Sequence, residues 1–263
     1  MAKCFAGYVN ECIAHAKQII RGVLSSRVKA RSAFLHLIEN SAGLEIGGPS
    51  HVFSDFGILP LYRHVRTLDN CVFSVQTLWE GSRSEGQTFV YHPKKPMGFN
   101  FIRESPNLDG LRDDTYDFIL ASHTLEHSAN PIKALKEFQR VAQPGAPIIA
   151  ILPHFRYTFD HRRKLTTVSH MLDDYERNMP ETDETHIEEI LELHDLSRDR
   201  PAGTREQFRA RSARNLENRC LHHHVFDENN SRELFAAAGL NVEILEFVKP
   251  HHIVLRGHSR AHL

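Results

Sequence analysis

Short apolar runs alternate with helical segments along this chain of 263 residues. Five runs have the length and composition of buried strands, and most of them end at turn-forming residues. They lie at residues 43–46, 65–68, 99–102, 116–121 and 148–152. Because strands that alternate with helices pair in parallel and are covered on both faces, the pattern predicts an α/β fold with a mostly parallel sheet.

Helical spacing of apolar residues predicts one or two amphipathic helices within residues 8–39, which could cover a cleft or form a homodimer contact. A further helix is predicted at 131–142, where Pro131 stands in the first turn and Pro144-Gly145 ends it. Near the end of the chain, the pattern predicts a helix at 231–238 and closing strands at 242–248 and 252–255. Seven strands are expected in all.

Residues 155–225 interrupt the alternation with a polar, histidine-rich segment that has two helical stretches and no good strand. This segment is too long for an ordinary connection, so we expect a functional insertion over the carboxyl edge of the sheet. The predicted parts are an N-terminal helical extension (1–41), a cofactor-binding core (42–154), an acceptor-binding insertion or lid (155–225) and a closing unit (226–263).

Charge and composition exclude several classes of protein. The chain has 32 basic and 33 acidic residues, so it lacks the positive surplus that a nucleic-acid binder needs. Its four cysteines are scattered, which favours reduced thiols, and no stretch reaches the roughly 20 apolar residues of a membrane span. We therefore expect a cytoplasmic protein that neither binds nucleic acid nor inserts into a membrane.

The turn after the first strand has the features of a ligand site. Ligands of open parallel sheets bind outside the carboxyl ends of the strands, and Gly47 and Gly48 would let a ligand approach the backbone there. Asp69 is expected at the end of the second strand, where a carboxylate can accept hydrogen bonds from ribose hydroxyls. The G-x-G-x-x-G pattern of dinucleotide binding is absent, and a plain turn would also account for the two glycines.

The segment 116–127, YDFILASHTLEH, resembles the fourth-strand signature of class I S-adenosylmethionine-dependent methyltransferases. Residues 130–145 match the helix and turn that this family places before strand five. The glycine loop after the first strand departs from the family pattern, because Gly48 and Pro49 stand in exchanged order. The resemblance implies a Rossmann-like fold with S-adenosylmethionine as cofactor. It implies that Glu45 orders the loop, that Gly47 and Gly48 contact the cofactor, that Asp69 binds ribose, that Asn107 and Leu108 border adenine, and that Ser122 and His123 lie near the methyl group.

An alcohol acceptor must lose its proton during methyl transfer, which requires a base within hydrogen-bond reach. His154, directly after the fifth strand, is the first candidate for this base, and His123 is the second. The alternative is that these histidines are hydrogen bonded within the wall of the cleft.

The insertion also carries candidate metal ligands. Imidazole and carboxylate groups together suit Mg²⁺ or another divalent ion, which could acidify an acceptor hydroxyl. The candidates are Asp160, His161, His194 and Asp195. Their spacing gives little support, because no pair of histidines within the insertion has the i, i+4 arrangement of a helical zinc site. Hydrogen bonds to backbone and carboxylates are the alternative.

Residues 152–154, 159–163 and 221–226 are similar, more loosely, to segments of bacterial sugar and polysaccharide O-methyltransferases, including the mycobacterial methylmannose type. This resemblance implies a saccharide or polysaccharide hydroxyl as the acceptor, hence a small-molecule or oligosaccharide partner. The candidate acceptor-binding residues are Trp79, Arg162, Arg163, His222, His223 and His224. A phenol or carboxylate acceptor, a metal-dependent hydrolase and a non-catalytic binding module remain alternatives.

Overall fold

The computed structural model describes residues 27–77 and 81–259. These residues form ten strands: β1 (Ala42–Ile46), β2 (Thr67–Val72), β3 (Gln76–Thr77), β4 (Gly81–Ser82), β5 (Gly86–Phe89), β6 (Gly98–Ile102), β7 (Phe118–Ser122), β8 (Ile148–Pro153), β9 (Leu240–Val248) and β10 (His252–Ser259). Eight of them form one sheet, while β3 and β4 pair with each other as a separate hairpin.

The sheet has the strand order β5-β6-β2-β1-β7-β8-β10-β9. Strands β6, β2, β1, β7 and β8 pair in parallel, and the strands at both edges pair antiparallel. The predicted mostly parallel α/β sheet is confirmed, with one strand more than expected because β5 adds to the edge at β6. The chain moves outward from β1 on both sides, so the switch point lies at the carboxyl end of β1.

Strand β2 differs from its predicted position. The prediction ended this strand at Asp69 and Asn70 because polar residues favour turns, but β2 continues to Val72. Asn70 is fully buried inside the strand, where its side-chain amide donates to Asn100 at 2.7 Å and to the carbonyl of Gly48 at 3.1 Å. These long-range partners satisfy the polar groups without a turn.

Seven α-helices lie in the described residues: α1 (Arg31–Ile38), α2 (Pro131–Val141), α3 (Val168–Glu176), α4 (Ile187–Leu193), α5 (Arg205–Ser212), α6 (Asn215–Asn218) and α7 (Glu228–Ala237). Helix α2 begins as its sequence predicts. The side chain of Asn130 accepts a hydrogen bond from the Lys133 amide at 3.1 Å, and Pro131 occupies the first turn. The apolar residues of α2, including Leu135 and Phe138, are fully buried against the sheet.

Apolar cores cover both faces of the sheet. On one face, Leu44 and Ile119 pack with side chains of α2 and α7, including Phe138 and Phe235. On the other face, Leu120 packs in a second core that contains residues of α1 and of the loop between β1 and β2. This two-sided burial explains why the central strands are continuous apolar runs.

The segment 155–225 forms helices α3 to α6 and short turns, and its described residues contain no strand. Two helical stretches were expected and four helices are present, because α5 and α6 are polar and were not recognised by apolar periodicity. A small apolar cluster of its own supports the segment, composed of Ile190, Ala202, Phe208 and Leu221.

The helices predicted within residues 8–39 lie mostly outside the described residues. In the described part of that range, α1 covers residues 31–38. Across the described part of the chain, no helix combines the length and the apolar character needed to cross a lipid bilayer.

Candidate active site

A cavity of about 470 Å³ opens at the carboxyl ends of β1, β2, β6 and β7, which is the size range of small-molecule sites. The loops after these four strands form one side of it. The segment 155–225 contributes to the other side. Its contributions are Thr158, Phe159, Glu181, Arg219 and His222, and His251 adds to them from the turn between β9 and β10.

Glu45 lies beneath the loop after β1 and is fully buried. Its carboxylate accepts hydrogen bonds from the Ser50 amide at 3.0 Å and from the Tyr62 hydroxyl at 2.8 Å. The sequence resemblance implied that Glu45 orders this loop, and these contacts can do so. The acid does not line the cavity.

Gly47 and Gly48 have different surroundings. Gly47 lines the cavity with a backbone φ of +75°, a conformation that favours glycine. Gly48 is turned inward, where its amide donates to the Asn70 side chain at 2.9 Å and a Cβ atom would lie 2.3 Å from the Glu45 carboxyl carbon. Gly47 thus presents its backbone to the cavity, and Gly48 is required by packing.

Asp69 does not line the cavity, in contrast to its predicted role as a ribose ligand. Because β2 continues to Val72, Asp69 lies within the strand and not at its end. One carboxylate oxygen accepts from the Phe99 amide at 2.7 Å, and the other accepts from the Tyr116 hydroxyl at 3.1 Å. The acid joins neighbouring elements and does not reach the ligand edge.

The predicted adenine-border residues also lie elsewhere. Asn107 is exposed, and Leu108 is fully buried in the apolar core. The residues that line the cavity directly after β6 are Arg103, Glu104 and Ser105. Neither predicted residue lines this cavity, because the loop turns away from it after Ser105.

Ser122 and His123 lie at the end of β7 and both line the cavity. His123 has a φ of +52°, which is uncommon for a residue other than glycine. Its Nδ1 lies 3.2 Å from Glu126 Oε1, and its Nε2 lies 3.0 Å from His252 Nδ1. Both ring nitrogens are therefore occupied, which leaves His123 poorly suited to accept a substrate proton.

His154 is not among the residues that line the cavity, so the structure does not support it as the base. Its Nδ1 accepts a hydrogen bond from the Arg156 amide at 3.2 Å, and its Nε2 lies 3.0 Å from a carboxylate oxygen of Glu228. The imidazole packs on Phe155 and Phe247 and is nearly buried. Its position directly after β8 suggested a base, but its ring is used for packing between α7 and the sheet.

The candidate acceptor residues divide between cavity and scaffold. His222 lines the cavity, whereas Arg162 is exposed outside it. Arg163 is buried and donates to the carbonyls of His222 at 2.7 Å and His223 at 3.3 Å. His223 and His224 are buried behind the wall, and Trp79 lies outside the described residues.

The four predicted metal ligands do not converge. His161 pairs with Asp195 at 2.8 Å, and His194 pairs with Asp199 at 3.1 Å. Asp160 instead contacts His222 Nδ1 at 2.5 Å. These are hydrogen-bonded pairs within the insertion, which was the alternative that the sequence left open.

The sequence analysis missed several cavity residues as functional groups, and three of them lie close to His123. Glu126 is fully buried, His127 lies beside it, and both follow β7 within the segment that carried the family resemblance. Burial alone would raise the pKa of Glu126, but hydrogen bonding and charge attraction from His123 hold it below its usual range. Burial and repulsion from His123 lower the pKa of the third, His251, to about 4.

A family model described as a methyltransferase domain matches residues 27–245, which is most of the chain. The chain belongs to the methyltransferase family. Membership supports S-adenosylmethionine as the methyl donor of this methyltransferase. Among curated proteins, no sequence match reaches significance.

Solved structures share the fold of this methyltransferase at low sequence identity. A protein from Haloferax volcanii, described as a methyltransferase in complex with the Trm112 methyltransferase activator, is 11% identical, with 98% of this chain and 97% of that chain covered and a TM-score of 0.50. A protein from Rhodobacter sphaeroides, described as a Zn-dependent alcohol dehydrogenase, is 11% identical, with 90% and 91% covered and a TM-score of 0.51. Both show similarity of fold alone.

Proposed function

We propose that this methyltransferase transfers a methyl group from S-adenosylmethionine to a hydroxyl group of a small polar acceptor, with a saccharide as the favoured class. The observation that carries the proposal is that one cavity joins a glycine-containing loop after β1 to the imidazole of His251. A methyl donor and an acceptor bound there would share one space.

The cofactor side of the cavity fits an adenosyl ligand. The positive φ of Gly47 leaves the backbone open where a side chain would intrude, and Phe73 and the segment 103–105 line the space beyond β2 and β6. Glu104 offers a carboxylate at this edge for ribose or adenine donors, the role that was predicted for Asp69. Arg219 from the insertion contacts Glu104 at 2.5 Å and holds it in place.

His251 is placed to accept a proton in this cavity. No described residue is within hydrogen-bonding geometry of its ring nitrogens. Its lowered pKa keeps the ring unprotonated near pH 7 and also makes it a weaker base than an ordinary histidine. Bound S-adenosylmethionine would supply a methyl group on a cationic sulfur, which would leave as a neutral thioether. His251 would take the proton that the acceptor oxygen loses.

The acceptor side favours a polar molecule. Its lining includes an acidic, a basic, an imidazole and a hydroxyl side chain, those of Glu181, Arg219, His222 and Thr158. Hydrogen-bond donors and acceptors therefore face the same space. A hydroxylated compound can form further hydrogen bonds with these groups, which a flat apolar compound cannot, while Glu181 and Arg219 keep their bonds to Ser128 and Glu104. This lining supports a saccharide over a phenol.

Binding of S-adenosylhomocysteine tests the cofactor half of the proposal. Calorimetry should show one site per chain, and Glu104→Gln should weaken binding about tenfold because a charged acceptor is lost. Well-folded protein that binds no S-adenosylhomocysteine would refute the proposed function.

His251→Ala tests the base. We expect unchanged S-adenosylhomocysteine affinity and a loss of about 10²- to 10⁴-fold in turnover, measured as transfer of labelled methyl groups to a panel of saccharides and phenols. His154→Ala is the matched control, and its folded fraction should keep turnover. The reverse pattern would return the role to His154, and labelling of phenols alone would overturn the acceptor class.

A further inference from the structure

Three side chains at the base of the cavity are arranged as metal ligands. One ligand atom from each of Glu126, His127 and His222 lies within 4.8 Å of the other two. All three residues line the cavity, so an ion held between them would be reached from the space that the acceptor occupies. Two imidazoles with one carboxylate form a donor set typical of open zinc and related d-block metal sites.

The hydrogen bonds of His127 and His222 use Nδ1 of each ring and leave Nε2 available. His127 Nδ1 lies 3.0 Å from the Leu221 carbonyl, and His222 Nδ1 lies 2.5 Å from Asp160 Oδ2. In metal sites the second ring nitrogen of a ligating histidine is bound in this way by a carbonyl or carboxylate, which fixes the ring orientation. Nε2 of both rings is then free to bind a metal.

The carboxylate of Glu126 gives a second observation that points to a bound cation, independent of the ligand spacing. The residue is fully buried, and Oε1 accepts from His123, but Oε2 has no hydrogen-bond partner among the described residues. A buried carboxylate oxygen without a partner is costly, and a cation is the partner that removes this cost.

The backbone keeps the three ligands in register although they are distant in sequence. Glu126 and His127 belong to the short turn of helix that follows β7, and the His223 amide donates to the Glu126 carbonyl at 2.7 Å. Arg163 holds the carbonyls of His222 and His223 from the other side. The insertion is thereby fixed against the core where the ligands meet.

We propose that Glu126, His127 and His222 bind a divalent d-block ion, with Zn²⁺ as the model ion, and that one coordination position opens to the cavity. Asp160 is a positioning residue that orients His222. If the proposed methyl transfer is correct, an acceptor hydroxyl bound at the open position would be acidified before His251 takes its proton. That last step rests on the proposed function, whereas the metal site does not.

The test uses the full chain without a histidine tag, stripped with a chelator and titrated with Zn²⁺. We expect one tightly bound ion, at least 100-fold weaker binding in Glu126→Gln and His222→Gln, and 10- to 100-fold weaker binding in Asp160→Asn. The visible spectrum of the Co²⁺ form should show imidazole ligation and should change when azide is added, because azide can occupy the open position.

His161→Ala and His170→Ala are the matched controls, since His161 was predicted as a ligand from the sequence and His170 belongs to a second histidine-carboxylate cluster. Both should keep the ion. Loss of the ion only in His170→Ala, binding of Mg²⁺ but not Zn²⁺, or no stoichiometric binding would each overturn the proposal. Calorimetry with S-adenosylhomocysteine on the same samples separates this failure from failure of the proposed function.

Discussion

At the scale of single residues, two side chains of the same type can have different roles. One lines the cavity, and the other forms hydrogen bonds within the protein. Asp69 and Glu104 are both acids near the carboxyl edge, but only Glu104 lines the cavity. His154 and His251 are both histidines near the ends of strands. The ring nitrogens of His154 contact Arg156 and Glu228, whereas His251 lines the cavity. Residue type and distance from a strand could not separate the members of either pair.

Asp69→Ala distinguishes a structural acid from a cofactor ligand. The variant leaves the Phe99 amide and the Tyr116 hydroxyl without their partner, so we expect a loss of about 1–3 kcal/mol in the free energy of unfolding. S-adenosylhomocysteine affinity of the folded variant should remain within twofold. Urea denaturation and calorimetry measure the two quantities, and a large loss of affinity at unchanged stability would restore the ribose role.

At the scale of elements, one buried arginine links separate parts of the insertion to one another. The Arg163 guanidinium donates to Asp160 and Glu189 as well as to two backbone carbonyls, and its side chain is 2% exposed. Arg162, its neighbour, is 52% exposed and only approaches Asp195 at 3.5 Å. The sequence assigned the same role to both residues because side-chain direction depends on tertiary contacts.

Arg163→Ala should loosen the segment 155–225. Removing one partner of a buried ion pair costs about 3–5 kcal/mol, and two carbonyls also lose their donor. We expect faster amide hydrogen exchange and faster proteolysis in this segment, with the strands of the core unchanged. Arg162→Ala is the control and should change stability by less than about 1 kcal/mol. Equal effects in the two variants would contradict this assignment.

At the scale of the whole molecule, buried histidines tie stability to pH. Burial, and repulsion from His123, lower the pKa of His251 to about 4 and that of His252 to about 2, below the ordinary value of 6.5. The negative charge of Glu126 raises the pKa of His251, but it offsets only part of the lowering. At these two histidines the unfolded chain therefore binds more protons than the folded chain below pH 6.5. Their contribution to stability is full above that pH and falls as the pH decreases toward 4.

We expect each of these two histidines to lower the free energy of unfolding by about 1 kcal/mol for each pH unit between pH 6 and 5. Urea denaturation across this range measures the slope, and His252→Asn should reduce it by the contribution of one histidine. His36→Asn is the control, because His36 is exposed on α1. An unchanged slope in His252→Asn would contradict the prediction.

The sequence by itself determined the class of fold, the position of most strands, helix α2 and the loop after β1. These features depend on short-range patterns: apolar periodicity, a cap such as Asn130 and glycines at a bend. The same local signal located the segment after β7 that holds Glu126 and His127, without revealing their role.

Only the tertiary structure decided which polar groups meet. Asp160 and His222 are 62 positions apart, and His127 contacts Leu221 across 94 positions. Such pairs depend on how the insertion folds onto the sheet, and local propensity carries no information about that distance. For the same reason the sequence favoured His154, whose partner Glu228 lies on α7, and missed His251, which the β9–β10 turn brings to the cavity.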